Sequence, residues 1–361
     1  MAELLKDRLN HASLREFALT IHGAYPAFPV DEFLKFTMDE TWEGLELKAR
    51  GRKICLGLGA YLPAVYPTAI GIIDEVIAKC DGFFCIIFPD FVEVYGQAAE
   101  YWDLSIGALE RYTQYSSSEW AVRPFIIKEE ERMMAQMYAW SKHENEHVRR
   151  LASEGCRPQL PWAQALPKFK KDPAPILPIL EQLKAEPSPY VRNSVANNLN
   201  DISKTHPALV AALAQNWYGQ NERTDWIVKH GCRTLLKSGN QDVLAIFGYQ
   251  DAASFEVSDF TLAATSLVLG EALSFSFVLS AKAATKVRLE YGIDYVKANG
   301  KRKRKIFQIS EIALKENTRK PYAKKHSFAD VSTRKHYPGT HTLTLIANGV
   351  AQGNLDFDLT V

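Results

Sequence analysis

The sequence lacks the features of membrane-spanning, secreted and disulfide-bonded proteins. None of its 361 residues belongs to a run approaching the roughly 20 consecutive apolar residues that a membrane span needs. The first ten residues include Asp and Glu and no apolar run, which is unlike a signal peptide. The five cysteines are odd in number and share no CxxC spacing, which argues against a zinc site or a disulfide framework. We therefore expect a cytoplasmic protein with reduced thiols and no membrane partner.

Familiar nucleotide and hydrolase motifs are also missing. No GxxxxGK[ST], GxGxxG or GxSxG pattern occurs, so phosphate-loop and dinucleotide chemistry have no local support. We expect no cofactor and no metal.

A strong overall charge is absent too, because the formal net charge is only +1. The charge is nevertheless unevenly distributed. Residues 251–361 carry 16 Lys+Arg against 11 Asp+Glu, a net of +5, while residues 1–250 carry 27 against 31, a net of −4. Residues 301–337 hold 12 basic and 3 acidic side chains, starting with the run Lys301-Arg302-Lys303-Arg304-Lys305. Such a split suggests a polyanion partner for one face, although a basic run is as often a solvated strand or loop.

Apolar periodicity divides the chain into a helical part and a β part. Spacings of three and four residues predict helices over 30–36, 46–61, 67–80, 104–123 and 189–204. After about residue 250 the period becomes two, in runs that begin at residues 273, 286, 305, 341 and 355, with Asn-Gly turn signals at 299–300 and 348–349. We expect an α-helical domain over residues 1–250 and a β-sandwich domain over 251–361.

The helical part contains a repeat. Leu109, Val148, Val191 and Ile227 are equivalent apolar anchors at intervals of 39, 43 and 36 residues, in the range of HEAT or armadillo units. Stacked units would bring residues at matching offsets into one polar column. Two, six and ten positions after the anchors stand Arg111, Arg150, Asn193 and Lys229; Tyr115, Glu154, Asn197 and Arg233; and Glu119, Pro158, Asp201 and Lys237. An amphipathic helix of any function also has a polar side, so the column alone does not establish a site.

Three carboxylates in this column, Glu119, Glu154 and Asp201, are candidate catalytic groups. On a DNA-binding surface, carboxylates weaken phosphate binding unless they act on something cationic. An N3-alkylated base is cationic, and its glycosidic bond breaks through an oxocarbenium-like sugar that a carboxylate stabilises. The structural alternatives are an i,i+4 ion pair of Glu154 with Arg150, and a local pairing of Asp201 with Lys204 or Asn197.

Two tryptophans have two interpretations each. Trp162 follows the Pro-rich segment at residues 157–161; it is either an apolar plug over helix ends or an aromatic face for sugar or base. Trp226 has the same alternatives, and we expect it to pack in the core.

Five segments carry a family resemblance. They are 118–125 (SEWAVRPF), 148–162 (VRRLASEGCRPQLPW), 191–204 (VRNSVANNLNDISK), 226–233 (WIVKHGCR) and 290–301 (EYGIDYVKANGK). The first four resemble the AlkC branch of the AlkC/AlkD alkylpurine DNA glycosylases, and the fifth resembles the Ig-like domain that some AlkC proteins carry. The resemblance extends over essentially the whole chain.

The resemblance implies a HEAT-like solenoid that cradles duplex DNA and excises 3-methyladenine and 3-methylcytosine without flipping the damaged nucleotide. It places Glu154 and Asp201 at the lesion sugar with Glu119 as a third acid, and Trp162 against the lesion nucleotide. The residues it implies at the DNA backbone are Arg150, Arg157 and Lys229. The column adds Asn193, Asn197 and Arg233 as DNA contacts, and the charge split adds Lys301, Arg302, Lys303 and Arg304. A monomeric bacterial enzyme working at the nucleoid is expected.

A second class of function stays open. Most HEAT proteins are scaffolds that bind DNA or protein without chemistry. Carboxylates embedded in a basic face distinguish the enzyme from the scaffold, since an adaptor for DNA has little reason to keep them.

Overall fold

Sixteen α-helices precede eight β-strands in the part of the chain that the computed structural model describes, residues 4–80, 82–249, 252–331 and 334–361. The chain forms two compact units. The first comprises Met1–Thr205 and Gly219–Gly231, and the second comprises His206–Tyr218 and Cys232–Val361. The predicted fold class, a helical repeat region followed by a β-sandwich, is confirmed.

The first unit contains thirteen of the described helices. They are α1 (His11–Ala24), α2 (Val30–Thr37), α3 (Leu47–Tyr61), α4 (Tyr66–Val76), α5 (Ile87–Tyr95), α6 (Trp102–Tyr112), α7 (Val122–Lys128), α8 (Glu130–Trp140), α9 (Glu146–Gly155), α10 (Pro167–Lys171), α11 (Leu177–Gln182), α12 (Pro189–Ser203) and α14 (Glu222–Gly231).

The four repeat anchors are buried, on α6, α9, α12 and α14. Helix α12 shows how the sequence produces this. Pro189 occupies its first turn, where a missing N–H costs nothing, and apolar side chains recur every three or four residues to face the core. Helix α12 packs against both α9 and α14.

One predicted helix was wrong in its length. Residues 104–123 form two helices, because α6 ends at Tyr112 and α7 begins at Val122. In the intervening turn the Ser118 hydroxyl donates to the Leu109 carbonyl at 2.9 Å, so a side chain occupies an acceptor at the end of α6. The turn between α6 and α7 belongs to the candidate site, because it carries Glu119.

The second unit combines three helices with the β-sandwich. The helices are α13 (Pro207–Trp217), α15 (Arg233–Lys237) and α16 (Gln241–Ile246). The strands are β1 (Phe255–Leu262), β2 (Ser266–Val268), β3 (Ala272–Ala281), β4 (Thr285–Val296), β5 (Arg302–Leu314), β6 (Arg319–Ser327), β7 (Gly339–Ala347) and β8 (Val350–Thr360). They form a three-stranded sheet in the order β1-β3-β6 and a five-stranded sheet in the order β2-β8-β7-β4-β5.

The core of the sandwich consists of alternate side chains from the two sheets. Phe275 and Phe277 of β3 pack in one buried cluster with Leu289 of β4 and Leu345 of β7. The predicted Asn-Gly turn joins β7 to β8, with φ of 47° at Asn348 and 76° at Gly349, as a tight hairpin turn requires. Strands β1, β2 and β6 were not predicted from the sequence. The last of these reads Arg-Lys-Pro-Tyr-Ala-Lys-Lys-His-Ser, whose charges and proline suit an edge strand.

No single described helix is long and apolar enough to cross a membrane. One pair, Leu47–Tyr61 with Tyr66–Lys79, passes the criteria of length and composition together, but it is bent by 120°.

A cluster of histidines and aromatic rings lies inside the sandwich. The hydroxyls of Tyr291 and Tyr295 lie 2.9 and 2.5 Å from the two ring nitrogens of His326. Burial, together with Arg334 and other nearby cations, lowers the pKa of His326 to about 4. Burial is also the main cause that lowers the pKa values of His336 and His341 below the ordinary value of 6.5.

We predict that the second unit loses stability as the pH falls from about 6.5 towards 4. In this window the histidines of the unfolded chain bind protons while His326 in the folded chain stays neutral, so acid favours unfolding. Urea unfolding of the second unit, followed at pH 7.5 and pH 5.0, measures the decline. His326→Gln, which does not titrate, should unfold more easily at pH 7.5 but lose less stability between the two pH values. An unchanged decline in this variant contradicts the prediction.

Candidate active site

Helix α9 is central to the candidate site because its polar side faces both the preceding turn and helix α12. Asn145 caps the helix by accepting from the His147 N–H at 2.8 Å. Arg150 and Glu154 follow one helical turn apart, and Arg157 stands just beyond the helix end. The side chains at these three positions therefore share one side of the element.

Arg150 joins two of the predicted acids. Its guanidinium forms an ion pair with Glu119, from the turn before α7, and lies 3.6 Å from Glu154 Oε1. The Ser117 hydroxyl accepts from Arg150 Nη1 at 2.8 Å and lies 2.6 Å from Glu119 Oε2. The predicted i,i+4 pair of Arg150 with Glu154 thus exists, but as one part of a longer network.

Arg157 joins the second acid to the third. Its Nη1 donates to Glu154 Oε1 at 2.6 Å and its Nε donates to Asp201 Oδ2 at 2.8 Å. Lys204 donates to the other oxygen, Asp201 Oδ1, also at 2.8 Å. The local pairing expected for Asp201 is therefore present together with a contact that spans 44 positions of sequence.

These six side chains alternate in charge, and we call them the charge ladder: Glu119, Arg150, Glu154, Arg157, Asp201 and Lys204. The side chain of Asp201 is only 2% exposed, and Glu119, the most accessible of the three acids, is 15% exposed. Burial acts to lower the pKa of Arg157, but Glu154 and Asp201 outweigh it and raise that pKa above its ordinary value. The guanidinium consequently stays charged, as a buried acid pair requires.

The accessible oxygens differ among the three acids. Within the described residues, every hydrogen bond to the Glu119 carboxylate reaches Oε2, and every one to Glu154 reaches Oε1. Asp201, by contrast, uses both oxygens. Each glutamate therefore has an oxygen with which to approach a ligand, whereas Asp201 is held more completely by its neighbours.

A buried arginine holds the loop after α9. Arg123 of α7 is fully buried and donates to the backbone carbonyls of Gly155, Arg157 and Gln164. Burial lowers the pKa of this guanidinium to about 10, which leaves it charged at neutral pH. One side chain thus fixes both ends of the loop that carries Trp162.

Trp162 stands out from this loop. Its side chain is 72% exposed and its φ is 61°, a left-handed conformation that is costly for a large side chain. Lys48 of α3 donates to the Trp162 carbonyl at 2.7 Å, which helps to hold that conformation. The ring is therefore presented outward rather than used as a plug.

Trp226 contradicts the expectation that it packs in the core. It is 42% exposed on α14 and stacks on the His230 ring at 5.0 Å, because residues four apart on a helix lie on the same side. Lys229 is exposed on the same helix.

The remaining column residues lie apart from the ladder. Asn193 is exposed and bonds back to the Pro189 carbonyl at 2.9 Å, and Asn197 is half-buried on α12. Arg233 begins α15, in the second unit, so the column that the repeat predicts is split between the two units.

The basic run from Lys301 to Lys305 lies at the start of β5, and its side chains have two different environments. Arg302 donates to Thr342, while Arg304 makes a two-pronged ion pair with Asp294 at 2.9 and 2.6 Å. Lys301 and Lys303 are exposed.

A basic basin forms where this strand meets the segment before β7. Its lining includes Lys297, Lys301, Lys303, Arg334 and Lys335. The contribution of residues 334–335 could not be recognised from the sequence, because about 30 residues separate them from the basic run.

Comparisons with known proteins find relatives for both parts of the chain. The family model "DNA alkylation repair enzyme" matches residues 113–235, and the model "Uncharacterised protein YhaZ, C-terminal Ig-like domain" matches residues 256–361. The uncharacterized protein YhaZ of Bacillus subtilis (strain 168) is 48% identical over 355 residues, which cover 98% of this chain and 99% of that protein. The structure of Pseudomonas fluorescens alkylpurine DNA glycosylase AlkC, bound to DNA containing an abasic site analog, is 35% identical, with a TM-score of 0.95 over 99% of this chain and 100% of that one.

The chain belongs to the AlkC-type family of DNA alkylation repair proteins. The resemblance noted in the sequence, including that of the Ig-like domain, is confirmed. The charge ladder of this AlkC-type chain lies entirely inside the segment that matches the repair family.

Two features of the site were not predicted from the sequence. Tyr190 lies beside the ladder, with its ring 5.0 Å from the Arg150 guanidinium and its pKa raised by burial. It directly precedes the anchor Val191 and so lies outside the offsets of two, six and ten residues that define the polar column. The other feature is the segment His-Glu-Asn-Glu-His at 143–147, which matches the HExxH motif of zinc peptidases.

That motif does not have the structure that zinc binding requires. Two histidines four residues apart share a metal only when both lie on one helix, and α9 begins at Glu146, after His143. His143 Nδ1 instead accepts from the Asn145 N–H at 3.0 Å, and the His147 ring packs on Tyr190. Among the described residues no group of three His, Cys, Asp or Glu is placed to hold a metal ion.

We predict that Arg157→Met destabilises the first unit by about 3–5 kcal/mol, since it leaves Glu154 and Asp201 buried without their shared cation. Urea unfolding measures the loss. Arg132→Met removes an exposed ion pair with Asp103 and a cation–π contact with Trp102, and it should cost less than about 2 kcal/mol. Adding Glu154→Gln and Asp201→Asn to the Arg157 variant should recover much of the stability. A cost no larger than that of the Arg132 control shows that the ladder does not have this role.

Proposed function

We propose that the chain is a monofunctional DNA glycosylase that hydrolyses the N-glycosidic bond of cationic alkylated bases in duplex DNA. The proposed substrates are 3-methyladenine and 3-methylcytosine. The observation that carries the proposal is the charge ladder, three carboxylates alternating with three cations inside the segment that matches the repair family. One relative, the Pseudomonas fluorescens protein, is an alkylpurine DNA glycosylase.

The chemistry follows from where charge develops. Loss of a cationic base leaves an oxocarbenium-like sugar, so the reaction needs negative charge near C1′ and a positioned water. A cationic leaving group departs without prior protonation, so a dedicated general acid is not needed. Extrusion of the base into a closed pocket, the usual requirement for chemistry on a base, is then dispensable as well.

We assign the acids different tasks from their bonding. Glu119 and Glu154 each have an oxygen outside the ladder and are proposed to act on the sugar and the attacking water. Asp201, held on both oxygens and almost fully buried, contributes negative charge and orients Arg157. Trp162 is proposed to contact the lesion nucleotide with its exposed ring.

The cations also have different proposed tasks: some position the carboxylates and others contact the DNA backbone. Arg150 and Arg157 were expected at phosphates, but both are engaged by the acids, so we propose that they position the carboxylates. Lys229, Arg233, Asn193 and Asn197 remain proposed backbone contacts. We propose that residues 1–250 form the catalytic domain and that 251–361 adds phosphate contacts through Lys301, Lys303 and the basic basin. The enzyme is proposed to act as a monomer in the bacterial cytoplasm, without cofactor.

The second candidate is a DNA-binding scaffold without chemistry. It is favoured by the fact that each acid has a cation beside it, as structural ion pairs do. The proposed enzyme and the scaffold differ in whether alkylated DNA releases free base.

We predict that wild-type protein releases 3-methyladenine from methylated duplex DNA and that the double variant Glu154→Gln/Asp201→Asn is at least about 100-fold slower, the scale expected when charge aimed at a transition state is removed. Free base separated by chromatography gives the rate. The matched control is Glu186→Gln. The Glu186 side chain is about as buried as those of Glu154 and Asp201 and pairs with Arg149 of α9, but it does not belong to the ladder. DNA binding without release by the wild type favours the scaffold.

We predict that Lys301→Gln/Lys303→Gln lowers the slope of log affinity against log salt by about 1–2, since each lost phosphate contact removes roughly 0.9. Fluorescence anisotropy with duplex DNA at several salt concentrations measures the slope. Lys320→Gln/Lys324→Gln, an equal charge change on β6, is the control. Equal slopes in the two variants argue against a specific contact by the basic basin.

A further inference from the structure

A cleft in the first unit adjoins the loop that carries Trp162. It lies beside α3 and α5, and its walls include the rings of Phe83, Trp120 and Trp162. Its cavity volume is about 70 Å³, the volume of about two water molecules. The charge ladder does not line it, although Trp120 is the residue after Glu119. The cleft is therefore a separate concave surface, aromatic on several sides.

The charged side chains that line the cleft are Lys48, Arg52 and Asp90, and Lys48 Nζ lies 4.8 Å from the centre of the Trp120 ring. Arg52 Nη2 lies 2.8 Å from Asp90 Oδ1, which places a donor and an acceptor together. Burial raises the pKa of Asp90 to about 6, so part of this carboxyl carries a proton near neutral pH. The indole N–H of Trp120 is buried and has no acceptor among the described residues. Buried indole N–H groups nearly always have one, so this donor suits a ligand atom.

A glycine keeps the cleft open. Gly51 stands inside α3, where glycine is a poor helix former. Neither backbone conformation nor packing explains it: its φ is not positive, and a Cβ built there would meet no atom within 4 Å. Because Gly51 lines the cleft, any larger side chain would project towards the space that the aromatic rings enclose.

We propose that this cleft binds one neutral nucleobase, stacked against its tryptophan rings and hydrogen-bonded by Trp120 Nε1, Asp90 and Arg52. A planar heteroaromatic ring satisfies the aromatic walls and supplies both acceptors and donors at its edge. An aliphatic ligand would leave the Trp120 N–H without a partner. The choice of a nucleobase among planar heteroaromatic molecules rests on the proposed function, because Trp162 borders both this cleft and the proposed lesion contact.

The base has two sources, a free base after its release or a base of the DNA strand. Both present the same ring and the same edge. Calorimetric titration of the full-length protein with adenine tests the shared chemistry without DNA or turnover. Competition by a single-stranded oligonucleotide that contains adenine then separates the sources: competition for the cleft indicates a strand base, and adenine binding without competition indicates a released base. Either outcome supports the site.

The decisive variant is Gly51→Phe, which fills the cleft. We expect adenine to bind wild-type protein saturably, at least 10-fold more weakly to Gly51→Phe, and unchanged to Gly71→Phe, the same substitution at an exposed helical glycine of α4 that also has open space around it. Trp120→Phe, which keeps a ring but removes the N–H, should weaken binding about 3- to 10-fold. Thermal unfolding verifies that each variant is folded.

Two results overturn the inference: no saturable binding of adenine to the wild type up to millimolar concentration, or equal binding to wild type and folded Gly51→Phe. The release assay for 3-methyladenine keeps this failure separate from that of the proposed function. Adenine binding without glycosylase activity overturns only the enzyme, and activity without adenine binding overturns only the cleft.

Discussion

The bond from Arg157 to both Glu154 and Asp201 is the constraint on which the rest of the site depends. Two carboxylates of this low exposure are tolerated only beside a cation, because the cost of removing them from water is otherwise several kcal/mol each. Since Arg157 meets that requirement from the end of α9 while Asp201 stands on α12, the pairing fixes the two helices in register. Arg150 then extends the same principle to Glu119. A change in any one side chain is felt by its two neighbours in the ladder, so the acids act as a coupled group rather than as three independent residues.

The loop beyond α9 has to be rigid for this bonding to persist. Arg157 belongs both to the ladder, through its side chain, and to the loop, through the carbonyl that Arg123 binds. The left-handed backbone of Trp162 is held in the same loop by Lys48. Strain of this kind is kept where the surroundings over-determine it. The loop therefore connects the buried side chain of Arg157 to the exposed ring of Trp162 through a backbone that is held at several points.

How far the sequence predicts this structure depends on the range of the interactions involved. The anchors Val148 and Val191 were predictable, because amphipathic periodicity is local, and so were the β7–β8 turn and the two-part fold. The end of α6 at Tyr112 was missed, since a side-chain bond from Ser118 overrides apolar spacing. Two local pairs of the ladder, Arg150 with Glu154 and Asp201 with Lys204, were anticipated, but the contacts that join these pairs were not. The pairs that join separate segments, Glu119 with Arg150 and Arg157 with Asp201, span 31 and 44 positions, and residue spacing says nothing about which oxygen of a carboxylate is used. The roles of Tyr190 and of residues 334–335 of the basic basin were not predicted either, because both depend on contacts between segments distant in sequence.

The ladder and the basin also explain why a net charge near zero is compatible with a DNA-directed protein. The ladder is neutral in sum, three acids with three cations, so it has no strong attraction for phosphate and is suited to a site where positive charge must be stabilised. Long-range attraction to a polyanion needs exposed, unbalanced cations, and the basin in the second unit supplies them. The net charge of +5 in residues 251–361 includes the cations of the basin, whereas the ladder contributes nothing to the net charge of −4 in residues 1–250. For the function that we propose, an even distribution of the same charges would place cations where the cationic base binds and carboxylates where the phosphates bind, and it would weaken both contacts.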